Sequence, residues 1–413
     1  MSPRWFRRRP HRAATPHDRE QLFSYCSLAR HLRPRADGRQ RTQLVPRGIE
    51  NGPTIARGLA TDDDVRTDRP RRWARIKRSA PSRAPIDSAQ HVWGGGVQLN
   101  VRAADLCDRM IDQREALRIA VDNGPSGCRL VDCGINAVGG LEAGRALASI
   151  CMAGLGRVEF VPAAADFETS LAVSVSTDHP LAACMAAQYA GWQISADDYF
   201  AMGSGPMRAA AGKEPLFEKI GLVERASHVI GVLEARAFPP DALCADLASQ
   251  CGVAPRELTL LAAPTASLAG MVQVVARSVE TAMHKLFELG FDLTRVVSGA
   301  GTAPLPPPAA DDLAAIGRTN DAVLYGGDVT LWVRGDDASL EAIGPQVPSC
   351  ASEDFGQPFA TIFERYHHDF YAIDPHLFSP ARVTLANLET GRTLRFGRLA
   401  AEVVRQSFAV DSR

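Results

Sequence analysis

The sequence predicts an α+β protein: two mixed α/β lobes with a substrate cleft between them, preceded by a disordered basic N-terminal extension. Three observations lead there. Charge is divided unevenly: the 413 residues sum to −1, but residues 1–83 hold 21 Lys+Arg against 8 Asp+Glu, and residues 84–413 hold 25 against 39. The acidic body alternates strand-like and helix-like stretches irregularly, without a strict βαβ rhythm. Four segments rich in glycine or small polar residues interrupt its apolar text, at 136–140, 202–208, 263–267 and 349–359. Such loops let backbone N–H and hydroxyl groups approach a flat polar ligand, although each alone also reads as a tight turn.

The extension, residues 1–90, is arginine-rich, as in Arg7-Arg8-Arg9 and Arg71-Arg72, with Lys77 its one lysine. It lacks an apolar period of 3.6 or 2.0, so it buries too little surface to offset the entropy of ordering. No apolar region follows the arginines, as a secretory or twin-arginine signal requires. Asp62, Asp63 and Asp64 weaken a transit-peptide reading, and a nucleic-acid-binding arm stays open on charge alone. We read a functionless extension, consistent with a start assigned too far upstream, since no methionine lies between Met1 and Met110.

The body, residues 91–413, is read in chain order. Ala104, Cys107, Ile111 and Leu117 give helical spacing over 101–121. A short strand at 130–134 ends in Gly134, and a small-residue helix follows over 141–153. Strands are predicted at 157–161 and 171–175. Asp178-His179-Pro180 marks a helix start, with the helix continuing over 181–189. A strand at 228–233, a helix at 241–251 closed by Gly252 and a β-run at 258–263 come next. A long helix over 267–289 stops at Gly290. Residues 322–333 read as a strand pair around Gly326-Gly327.

The near-zero total charge and the lack of any ~18-residue apolar run give no reason to propose a nucleic-acid or membrane partner. Nine irregularly spaced cysteines read as small core hydrophobes of a reducing compartment. HExxH, Walker, GxSxG and GxGxxG patterns are missing from the sequence, which argues against metal hydrolysis, nucleotide binding and dinucleotide redox chemistry.

Residues 258–276 carry no charge; then Arg277 and Glu280 appear three apart, on one helical face among Val274, Val275 and Val279. Apolar surroundings raise a carboxylate's pKa and a neighbouring arginine lowers it, a balance suited to a base near neutral pH. A structural i,i+3 ion pair is the commoner outcome of such spacing.

Several segments, in this order, give the body its resemblance to the methenyltetrahydromethanopterin cyclohydrolase family. They are Val131-Asp132-Cys133-Gly134-Ile135-Asn136, Glu142-Ala143-Gly144, Cys151-Met152-Ala153-Gly154-Leu155 and Thr177-Asp178-His179-Pro180. Tyr199-Phe200-Ala201-Met202-Gly203-Ser204-Gly205-Pro206, Ala263-Pro264-Thr265-Ala266-Ser267 and Arg277-Ser278-Val279-Glu280 follow. Thr319-Asn320-Asp321 and Phe355-Gly356-Gln357-Pro358-Phe359 complete the set. The likeness spans roughly residues 99–408. Phe355 stands where the family pattern leads us to expect tyrosine.

The resemblance implies a cytoplasmic homotrimer of one-carbon metabolism acting in formaldehyde oxidation. It would open the cyclic methenyl group of a pterin carrier to the formyl form, reversibly, with no metal and no cofactor. It also implies that Arg277 and Glu280 are catalytic, Glu280 as general base and Arg277 tuning and orienting it. Asn136, Ser204, Thr265, Ser267, Asn320 and Asp321 are expected to hydrogen-bond the pterin's amide edge, and Arg208 to meet an anionic tail. Alternatives are a methenyltetrahydrofolate cyclohydrolase, a pterin-binding protein without turnover, and a structural homologue.

Overall fold

A computed structural model describes residues 97–196, 198–367 and 372–408; the expected extension at 1–90 lies outside the described residues. Two six-stranded mixed sheets carry the body. The first joins β1 (Ala120–Asn123), β2 (Arg129–Asp132), β5 (Trp192–Ala196), β6 (Tyr199–Ser204), β7 (Val229–Glu234) and β8 (Leu258–Ala263), in the order β1-β2-β8-β7-β6-β5. Its centre, β2-β8-β7, is parallel and its flanks are antiparallel. The second joins β3 (Gly156–Pro162), β4 (Leu171–Thr177), β9 (Val296–Pro304), β10 (Asp328–Val333), β11 (Arg382–Asn387) and β12 (Thr393–Gly397), in the order β12-β11-β10-β9-β4-β3. Only β10 and β11 run parallel there.

Period-two alternation decides how the first sheet packs. Leu258, Leu260 and Ala262 of β8 face one core together with Cys244, Leu247 and Ala248 of α3 (Asp241–Gln250). Leu261 and Ala263 face the opposite core, built with α1 (Leu99–Asp112) and α2 (Leu141–Cys151). Buried on both faces, β8 shows the nearly continuous apolar run of a central parallel strand, with Thr259 its one polar residue.

The second core gathers around α4 (Leu268–Val275) and α5 (Ser278–Glu288). Met271, Val275, Val279 and Met283 pack there with Val173 and Val175 of β4, Val329 and Leu331 of β10, and Met202 from the first sheet. The two sheets therefore share one apolar mass through this helix pair. Gly144 allows the close crossing of α2 on α4, since a Cβ there would lie 2.7 Å from Val272 and 2.8 Å from the Ala269 carbonyl.

Four expectations change. The helix predicted over 101–121 ends at Asp112, and Val121 belongs to β1. The strand pair predicted at 322–333 is the end of α6 (Asp312–Leu324) followed by β10; Asp311 starts that helix by accepting from the Ala314 N–H. The single helix expected over 267–289 is two helices, interrupted at Ala276 and Arg277. Residues Leu181–Gln188 form a π-helical segment rather than an α-helix.

Candidate active site

The parallel strands β2, β8 and β7 end at a common edge, where open α/β sheets hold ligands. Asp132 closes β2, and its carboxylate accepts from the backbone N–H groups of Gly134 (2.9 Å), Ile135 (2.7 Å), Asn136 (2.8 Å) and Ala137 (3.1 Å). That wrap fixes the loop carrying Asn136, which is exposed. The neighbouring loop after β8 is close: a Cβ on Gly134 would lie 2.6 Å from Ser267 Oγ. Ser267 caps α4, accepting from Gly270 N–H at 3.0 Å and donating to the Pro264 carbonyl at 2.7 Å. Asp312 ties the same loop to α6 by accepting from Ala266 N–H at 2.6 Å, and it is salt-bridged to Arg236 just beyond β7.

Arg277 lies in the break between α4 and α5, wholly buried. Its guanidinium donates to the Gln188 carbonyl (2.9 Å), Ser204 Oγ (3.2 Å) and Glu234 Oε1 (2.9 Å). Gln188 also supports the break, its Nε2 donating to the Ala276 carbonyl at 3.0 Å. Interrupting the helix creates a second N-terminus, and Glu280 falls in its first turn, where the helix dipole favours a carboxylate. Glu280 is 1% exposed. Burial first, and then the Glu280 charge, hold the Cys184 thiol well above its usual value, so Glu280 acts on the π-helical segment from which Gln188 reaches Arg277.

Glu234, the last residue of β7, is the partner that sequence reasoning missed. Burial pushes its carboxyl up, Arg277 pulls it back, and Asp312 raises it again. The signal was one carboxylate closing the apolar run Val229 to Leu233. Polar atoms buried without a hydrogen bond inside the protein collect in this region: Gln188 Oε1, Thr265 Oγ1 and Gln273 Oε1. Gln273 Nε2 lies 3.9 Å from Cys151 Sγ, which in turn is 3.3 Å from Ser204 Oγ. Buried polar groups are normally satisfied, so this concentration marks a place built for a polar occupant.

Arg277, Glu280, Ser204, Thr265, Ser267 and Asn136 thus belong to this edge of the first sheet or to the helix break beside it. The remaining candidates are committed to the frame. Arg208 is fully buried, salt-bridged to Glu214, donates to the Met185 carbonyl and lies over the Tyr189 and Phe217 rings, 4.8 and 5.4 Å from their centroids. A guanidinium so enclosed braces the fold rather than reaching for an anionic tail. Asn320 donates to Ile316 O in its own helix. Asp321 accepts from Phe359 N–H and Ser407 Oγ, one bond to each carboxylate oxygen, tying α6 to α7 (Phe359–Arg365) and α8 (Ala401–Phe408). A hollow of about 470 Å³ at the opposite, amino-terminal ends of the parallel strands is lined by Asp108, Arg129, His228, Arg256 and Thr259 and shares no residue with this cluster.

Residues 98–408 match the model of the cyclohydrolase (MCH) family. A methenyltetrahydromethanopterin cyclohydrolase of Rhodopirellula baltica is 50% identical over 290 residues, covering 69% of this chain and 87% of that protein. One from Xanthobacter autotrophicus is 45% identical over 324 residues, 78% of this chain and 95% of the relative. One from Methanococcoides burtonii is 36% identical over 318 residues, 76% and 99% respectively. With three quarters of its length matched, the chain belongs to the MCH cyclohydrolase family.

Proposed function

We propose that the protein hydrolyses the cyclic methenyl group of methenyltetrahydromethanopterin to 5-formyltetrahydromethanopterin, reversibly, as a homotrimeric cytoplasmic enzyme of one-carbon metabolism acting in formaldehyde oxidation. The reading draws on the activity named for its relatives and on one observation, the buried Arg277 beside a helix N-terminus that carries Glu280.

The methenyl carbon lies between two nitrogens and shares their positive charge, so it is already electrophilic and needs no metal or cofactor to polarise it. Glu280 takes a proton from water as the oxygen bonds to that carbon, quenching the charge. Breaking one carbon–nitrogen bond gives the formyl group; the departing nitrogen receives a proton from Glu280, and the hydroxyl proton leaves. The sum converts a cation and water to a neutral formyl product and one proton. Arg277 orients Glu280 or the water and tunes the carboxylate. The pterin's amide edge lies at the carboxyl ends of β2, β8 and β7, against Asn136, Thr265, Ser267 and Ser204.

The test is loss of the methenyl chromophore on mixing the protein with methenyltetrahydromethanopterin, with methenyltetrahydrofolate alongside. Turnover of the first is expected. Turnover of the folate alone would move the substrate class, and binding without turnover would make the protein a pterin carrier. Glu280→Gln should lose about 100-fold or more in kcat with KM within a few-fold; wild-type turnover in that variant would remove Glu280 from the mechanism.

A further inference from the structure

We infer that Glu234 is a positioning residue for the reaction: by sharing the Arg277 guanidinium, it keeps that single cation from being committed to Glu280 and so leaves Glu280 basic enough to take the proton. The inference rests on the proposed activity.

The geometry is that of a pair built for one purpose. Glu234 and Arg277 come from the end of a central strand and from a helix break 43 residues later, and meet at 2.9 Å with side chains 6% and 0% exposed. Ser204 Oγ at 3.2 Å and the Gln188 carbonyl at 2.9 Å take further guanidinium N–H groups, so the Arg277 side chain is held from strands and helices on several sides. Burying two such charges is costly, and replacement by apolar side chains of similar volume is often neutral or stabilising. A pair retained here for stability alone is therefore poorly motivated.

The charge balance supplies the motive. An arginine paired closely with one carboxylate depresses that carboxylate's pKa, which suits a salt bridge and spoils a base. Arg277 serves an interior that also contains Glu280 in the next turn. With Glu234 on the guanidinium, the three groups sum to −1, which complements a cationic methenyl substrate. The other titratable groups facing them are Asp312, itself held by Arg236, Cys151 from α2, and Cys184 and Tyr189 from and just beyond the π-helical segment.

The experiment compares wild type, Glu234→Gln and Glu234→Asp in the full chain, reading kcat, KM and the pH profile of methenyltetrahydromethanopterin hydrolysis per folded protein. Glu234→Gln keeps an acceptor for Arg277 and removes the charge. It is expected to lower kcat at least tenfold with KM changed less than threefold, and to move the acid limb of the profile to lower pH as Glu280 becomes less basic. Glu234→Asp, whose carboxylate retreats by one methylene, is expected to lower kcat severalfold with the limb displaced in the same direction, and it carries the test if the glutamine variant does not fold. Wild-type kcat and limb position in a folded variant, whatever its melting temperature, would reduce Glu234 to a structural role and overturn the inference. A wild-type protein without turnover would overturn the proposed activity itself, a separate result.

Discussion

At Thr265 the demands of folding and of the proposed function differ. Its hydroxyl is buried, makes no hydrogen bond within the protein, and sits in the loop between β8 and the capped start of α4. A buried hydroxyl without a partner costs roughly 1–3 kcal/mol, so its retention calls for a reason outside folding. Thr265→Val should leave the melting temperature unchanged or raise it by a few degrees, while KM rises about tenfold, the equivalent of one lost hydrogen bond of roughly 1.4 kcal/mol. Calorimetry and steady-state kinetics on one preparation read both; a lower melting temperature with unchanged KM would assign the hydroxyl to the frame. Arg277, Glu280 and the loop residues were legible as local anomalies, polar groups in apolar text. Arg208 was equally anomalous and belongs to the frame, because the Glu214 and Tyr189 that enclose it are brought there only by the folded chain. Cys350 departs from the other described cysteines in being exposed.

At the scale of elements, the interruption between α4 and α5 matters most. No glycine or proline marks it, and the helical period runs through it unchanged. It is supported from 88 residues away, by Gln188 on the Ala276 carbonyl, which is why local reading gave one helix. Strand β8 was legible to the residue, since five apolar residues and Thr259, bounded by Glu257 and Pro264, leave little choice. The tie from α6 to α7 and α8 makes a separate prediction. Burial pushes the Asp321 carboxyl up to about 7, against the pull of its bonds from Ser407 and Phe359. Its folded pKa lies above its unfolded value near 3.9, so the folded form binds more protons between about pH 4 and 7. The stabilising contribution is full below about pH 4 and lost as pH rises through about 7. Asp321→Asn preserves an acceptor for Phe359 N–H and gives Ser407 a donor. Its melting temperature should exceed that of wild type by a few degrees above pH 7, with the gap closing toward pH 4. A gap of constant size across that range would show that Asp321 does not titrate there.

The whole molecule joins two sheets through one helix pair, and the proposed site uses both connections. The parallel strands of the first sheet supply the loops, and the helix break that buries Arg277 and Glu280 also packs against the second sheet. Two mixed α/β units were legible from the irregular alternation of elements. Their shared core was not, because which strands adjoin depends on contacts distant in sequence. Every apolar cluster of the described residues, every residue of the proposed site and the family match at 98–408 lie in the acidic body. Residues 1–83, which carry the basic charge, lie outside the described residues and outside the family match. A chain lacking residues 1–90 should therefore turn over methenyltetrahydromethanopterin with kcat and KM within about twofold of the full chain. Light scattering should give both forms three times their chain mass, 44.4 kDa for the full chain. A tenfold loss of kcat with the trimer intact would place part of the leader at the active site, and loss of the trimer would make the leader an assembly element. Unchanged values in both measurements assign catalysis and assembly to the body alone.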